Sequence, residues 1–168
     1  MKKTISLLML LFVVITLSAQ EREPKKQLYA KSVINQKAPE LVFEEWLGKE
    51  PKLKGKFILI DFWATWCKGC VAGIPHMNEL SKHFKKKLVV IALSNEKEEA
   101  IKAMKEPVIE FYSATDTRST LANALEIMAI PHAILIDPKG VVRWEGLPGQ
   151  RGFELTAEVI EEIIQKYK

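Results

Sequence analysis

The chain has 168 residues, 48% of them hydrophobic and 8% aromatic, enough apolar material for one packed domain and too much for a disordered or low-complexity protein. Lys and Arg number 25 against 21 Asp and Glu; the basic runs Lys25-Lys26 and Lys85-Lys86-Lys87 are not interleaved with aromatics, so nucleic-acid binding gets no support. The whole chain holds 2 cysteines, too few to staple a small scaffold.

Lys2 and Lys3 precede an apolar run from Ile5 to Leu17, followed by Ser18-Ala19-Gln20. This is the layout of a secretory signal peptide over residues 1–19, with export to the periplasm as its consequence. The run is shorter than the roughly 18 residues a membrane span needs. Leu17 stands where a small residue is preferred before the cut, so an uncleaved N-terminal anchor stays open as the alternative. No cysteine follows the run, which excludes a lipoprotein anchor. Residues 20–37 are polar without a period and read as a linker or mobile segment, leaving residues 38–168 as the folded domain.

Leu41 to Phe43 predicts a short edge strand, and Gly48, Pro51 and Gly55 predict turns between Glu44 and Lys56. Phe57 to Phe62 is a nearly continuous apolar run, the mark of a strand buried on both faces. A helix follows from Cys67, with Val71, Ile74, Leu80 and Phe84 at helical spacing and Pro75 expected to kink it. Leu88 to Leu93 is a second buried strand. Asn95 with Glu98 resembles a capping box for a helix turning Ile101 and Met104 inward. Val108 to Tyr112 predicts a weaker strand, and Asp116 caps a helix bearing Leu121, Leu125 and Met128. Ala133 to Ile136 and Val141 to Glu145 flank Asp137-Pro138-Lys139-Gly140, a hairpin signal. Leu155, Val159, Ile163 and Tyr167 form the inward stripe of a last helix. The order predicts an α/β domain, a mixed central sheet flanked by helices.

The chemistry concentrates at the end of the first buried strand, in Asp61-Phe62-Trp63-Ala64-Thr65-Trp66-Cys67-Lys68-Gly69-Cys70. Thiols at i and i+3 on a first helical turn share one face and are close enough to form a disulfide. At the helix N-terminus, free backbone N–H groups and the dipole favour a thiolate at Cys67, with Lys68 adding positive charge beside it. Cys67 is thus the candidate nucleophile and Cys70 the resolving thiol. Asp61 interrupts an apolar run, so burial should raise its pKa and fit it to take the Cys70 proton; a structurally satisfied buried acid is the other reading.

This segment, followed by Pro75, resembles the active-site stretch of the thioredoxin superfamily, and Ala129-Ile130-Pro131-His132-Ala133-Ile134-Leu135-Ile136-Asp137-Pro138-Lys139-Gly140 resembles its cis-proline strand and hairpin. Ala38-Pro39 and Lys54-Gly55-Lys56 bring the likeness closer to the exported TlpA/ResA-like thiol-disulfide oxidoreductases, over a span from Ala38 to the C-terminus. The resemblance implies a thioredoxin-like fold with a cis peptide after Ile130 opposite the cysteine pair. It also implies a Cys67–Cys70 disulfide and a substrate groove at Trp66, Ile130 and Pro131. His132, beside that proline, is a candidate substrate contact or proton donor, or else an ordinary strand residue.

The partners implied are protein disulfide substrates and a membrane thiol-disulfide electron donor, with reduction the favoured direction and the protein working as a monomer without a cofactor or resident metal. Three positions depart from the pattern: Asp61 stands where many such proteins carry Asn, Gly73 where many carry Glu, and Gly69 replaces a common proline. The redox potential is therefore not carried over. The rival reading is a metallochaperone holding Cu(I) between the two thiolates, with His76, His83 or His132 recruited. A non-catalytic thioredoxin-like binding domain is a third reading, disfavoured by the complete cysteine pair. Val71 excludes a c-type haem site, and Ala64 breaks the Thr-x-x-Cys context of a peroxidatic cysteine.

Overall fold

A computed structural model describes residues 25–168; the signal segment predicted for residues 1–19 lies outside the described residues. Among the described residues, the strands are β1 (Glu45–Trp46), β2 (Phe57–Phe62), β3 (Leu88–Ser94), β4 (Tyr112–Thr115), β5 (His132–Ile136) and β6 (Val142–Gly146). The helices are α1 (Lys68–Phe84), α2 (Glu98–Ala103), α3 (Thr120–Ala124) and α4 (Ala157–Tyr167). They build one mixed sheet in the order β1-β4-β3-β2-β5-β6. The β2, β3 and β4 strands run parallel, and β1, β5 and β6 add antiparallel to their neighbours. This is the mixed sheet flanked by helices that the sequence predicts.

Every residue of β2 and β3 is buried, which explains their unbroken apolar character. The period of two sorts them onto two faces. Ile58, Ile60 and Phe62 join Val89, Ile91, Leu93, Leu121 and Leu125 on the α3 side. Phe57 and Leu59 join Met77, Leu80, Phe84, Ile160 and Ile164 on the side of α1 and α4. Asp61 continues this second row, so a carboxyl occupies a position built for an apolar side chain.

Several local expectations shift. Leu41 and Phe43 pack against the core, but the edge strand pairs at Glu45 and Trp46. Val108 is 54% exposed and β4 starts only at Tyr112. The backbone before it bonds to a helix side chain instead: Asn78 Nδ2 donates to Val108 O and Asn78 Oδ1 accepts from the Glu110 N–H. Lys97, not Asn95, stands at the start of α2, and Asn95 donates to Ser119 Oγ. Ser119, not Asp116, stands at the start of α3, although the Asp116 carboxylate accepts the Leu121 N–H of its first turn; Met128 is 77% exposed and no part of an inward stripe. On α4 the deepest residues are Ile160 and Ile164, with Val159, Ile163 and Tyr167 half-buried beside them, a wider stripe than predicted. α1 passes through Pro75 without a break.

The segment assigned to a linker is docked over its last part. Val33 is buried in the core, and the Asn35 and Ala38 N–H groups donate to Val142 O and Gly140 O. Ser32 Oγ and Val33 N–H both bond to the Glu145 carboxylate. A polar segment can cover the edge beyond β6 because its backbone supplies the bonds, and hydropathy does not register these.

Candidate active site

The strand β2 ends at Phe62, and a short loop carries the chain to α1. Cys67 caps that helix, with an extended backbone and a sulfur that accepts the Cys70 N–H at 3.2 Å. The two cysteines form a disulfide, S–S 2.08 Å, with Cα atoms 5.2 Å apart. Cys67 is 7% exposed and Cys70 2%, so both are buried and the first is the less deeply buried residue. Trp66, immediately before it, is 70% exposed, while Trp63 is packed in the core.

The Ile130–Pro131 peptide is cis. Its ring lies against the first turn of α1: a Cβ at Gly69 would stand 3.6 Å from Pro131 Cδ, an ordinary contact. Asp61, Gly69, Cys70, Gly73 and Pro131 line one cavity of about 560 Å³ with His76 and the 147–150 loop. Asp61 is 4% exposed, and its Oδ1 finds no hydrogen-bond partner among the described residues. Desolvation pushes its carboxyl up to about 7, as expected for a charge that would face apolar surroundings. Cys70, the inner half of the disulfide, and a carboxyl titrating near neutrality therefore open on the same space.

The sequence matches the AhpC/TSA family over residues 34–145. It is 34% identical over 142 residues to the thiol-disulfide oxidoreductase ResA of Bacillus thuringiensis subsp. konkukian, covering 81% of this chain and 79% of that protein. The chain belongs to the ResA-like thiol-disulfide oxidoreductases. The ResA of Bacillus subtilis is 35% identical over 111 residues, 62% of either chain. The thioredoxin domain of a thiol-disulfide oxidoreductase from Bacteroides vulgatus superposes with a TM-score of 0.64 at 22% identity, covering 82% of this chain and 99% of that one, a likeness of fold.

For a ResA-like oxidoreductase the remaining candidates divide clearly. Cys67, Cys70, Asp61 and Pro131 come together, and Trp66 and Ile130 line a second cleft of about 240 Å³ on the other side of the cysteine loop. His132 does not join them. It pairs with Phe62 on β2, so its side chain belongs to the α3 face, with the ring centroids 6.1 Å apart. At 2% exposure it cannot touch a substrate on the surface, and desolvation, with Lys26 adding to it, pushes its pKa down to about 4. That burial and pairing are those of a strand residue packed inside the sheet.

His76 reaches the Leu155 carbonyl at 2.8 Å, and His83 packs edge-on against Phe84. No group of three or more His, Cys, Asp or Glu side chains comes together to hold a metal among the described residues, so nothing adds a third ligand to the thiol pair. No helix among them is long and apolar enough to cross a membrane. One residue escapes sequence reasoning altogether. Glu96, in the loop after β3, accepts both the backbone N–H and the hydroxyl of Thr65, at 2.6 and 2.7 Å. A lone acid in a polar loop carries no signal of this partner 31 positions earlier.

Proposed function

We propose that the protein is exported and reduces protein disulfides through Cys67 and Cys70, with Asp61 managing the proton of the second thiol. The observation that carries this reading is the buried, unpartnered Asp61 carboxyl opening on the same cavity as Cys70. The Cys67 thiolate attacks one sulfur of a substrate disulfide, forming a mixed disulfide and releasing a substrate thiolate. Asp61 then accepts the Cys70 proton. The Cys70 thiolate attacks Cys67 Sγ, closing the internal disulfide and expelling the second substrate thiolate, which takes up a proton. Substrate gains two electrons and the dithiol loses two. A membrane thiol-disulfide donor restores them, and the chain acts as a monomer at the outer face of that membrane. Trp66, Ile130 and Pro131 supply the surface on which the substrate chain lies.

The N-terminal layout, basic start and apolar run, supports export, and reduction as the direction rests on the resemblance of the Cys67–Cys70 and Ile130-Pro131 motifs to the TlpA/ResA-like pattern. The reduction potential of the pair tests that direction, measured by equilibrating the protein in defined thiol buffers. A reductase should settle below about −220 mV, towards the thioredoxin value. A potential near −120 mV, that of a strong oxidant, would reverse the direction.

A further inference from the structure

Thr65 stands two residues before Cys67, in the loop that delivers the nucleophile to α1. Within this loop the Trp63 N–H donates to Leu93 O and the Cys67 N–H to Ala64 O. Thr65 between them is held by a side chain, from the loop that follows β3. Glu96 Oε2 accepts its N–H at 2.6 Å, and Oε1 accepts its hydroxyl at 2.7 Å. Glu96 is itself anchored at the end of β3, where Ser94 is 1% exposed. The Ser94 hydroxyl donates to Glu96 Oε2 at 3.3 Å, and the Glu96 N–H donates to Ser94 Oγ at 3.2 Å. Charge-assisted bonds are roughly twice as strong as neutral ones, and a carboxylate spanning two donors of one residue fixes orientation as well as place.

We propose that Glu96 is a positioning residue for the redox chemistry: its clamp on Thr65 holds the loop so that Cys67 Sγ stays over the Cys70 N–H at the helix N-terminus. The inference rests on the reading of Cys67 as nucleophile. It makes a prediction of sign that a simple charge effect contradicts. A carboxylate acting only as a nearby negative charge disfavours a thiolate, so removing it would lower the Cys67 pKa. A clamp works in the opposite sense. Without it the sulfur drifts from the N–H groups and dipole that favour its ionisation, and the pKa rises.

The experiment follows alkylation of Cys67 by iodoacetamide against pH in the reduced full-length protein, with the attack rate on a small aromatic disulfide and the melting temperature recorded in parallel. Glu96→Ala should raise the alkylation midpoint by about half a pH unit or more. It should also slow attack at neutral pH about tenfold, the scale of a lost charge-assisted hydrogen bond. Thr65→Val, which removes one of the two donors, should move both readings the same way by less. Glu96→Gln, which keeps an oxygen for one bond, should fall between Glu96→Ala and the unaltered protein. A midpoint that stays or falls in Glu96→Ala overturns the proposal, as does a loss of melting temperature with both thiol readings unchanged. If Glu96→Ala does not fold, Thr65→Val decides by the same sign. Failure of the underlying reading looks different: the unaltered protein itself would alkylate first at Cys70 or exchange no disulfide.

Discussion

Cys67→Ser is expected to abolish disulfide exchange, lowering kcat/KM on a protein disulfide by roughly three orders of magnitude or more. A serine hydroxyl stays protonated at neutral pH and cannot serve as the attacking thiolate. Cys70 is not expected to take over, because it is only 2% exposed and lies one turn inside α1, away from the N-cap position that favours a thiolate at Cys67. Cys70→Ser should give a different failure. Attack by Cys67 still occurs, but no thiol remains to resolve the adduct, so a mixed disulfide accumulates to one substrate per chain. Intact mass without reductant, set beside the kinetic assay, separates the two. Neither change should unfold the domain, since a bridge between residues three apart closes a very short loop. Undiminished turnover in Cys67→Ser would remove the mechanism.

What the sequence displays of this fold depends on how local the cause is. The strands β2 and β3 are legible because burial on both faces forces continuous apolar runs, and Asp61 is conspicuous because it breaks one. The disulfide is legible because i and i+3 on a helix start leave the two thiols little freedom. The signals that fail are those whose partners come from elsewhere in the chain. Val108 to Phe111 carries strand-like residues, yet the Asn78 side chain of α1 takes its backbone bonds, and the strand begins only at Tyr112, after the predicted start at Val108. Leu41 and Phe43 are apolar because they cover the core, not because their backbone pairs. His132 follows a site proline, but the period of two turns its ring to the far face of the sheet. Glu96 is invisible until β3 brings it to the cysteine loop.

Asp61→Asn should make the oxidised protein more stable and the enzyme slower, with both effects set by pH. The folded state holds the Asp61 proton up to about 7, whereas an unfolded aspartate releases it near 3.8. Between those values the folded chain binds more protons than the unfolded one, so Asp61 lowers stability progressively as pH rises. Its contribution is fully present below 3.8 and is lost by about 7. Asparagine cannot ionise and is exempt from that loss. The difference in unfolding free energy between variant and parent should therefore be small at pH 4, grow through this window and level off above 7. The ceiling is about 4 kcal/mol, from 1.36 kcal/mol per pH unit, and water reaching the cavity would hold the gain below it. The rate should move the other way. Parent turnover should climb with pH through about 7 as Asp61 becomes the base that Cys70 needs, and the variant should lose that climb and run about a hundredfold slower at neutral pH. Denaturant unfolding at pH 4, 6 and 8, with kcat measured across the same range, tests both halves. A stability gain with unaltered kinetics would leave Asp61 a buried acid with no part in catalysis. A stability difference that does not change with pH would mean that the ionised carboxylate is already solvated, and the argument from burial would fail with it.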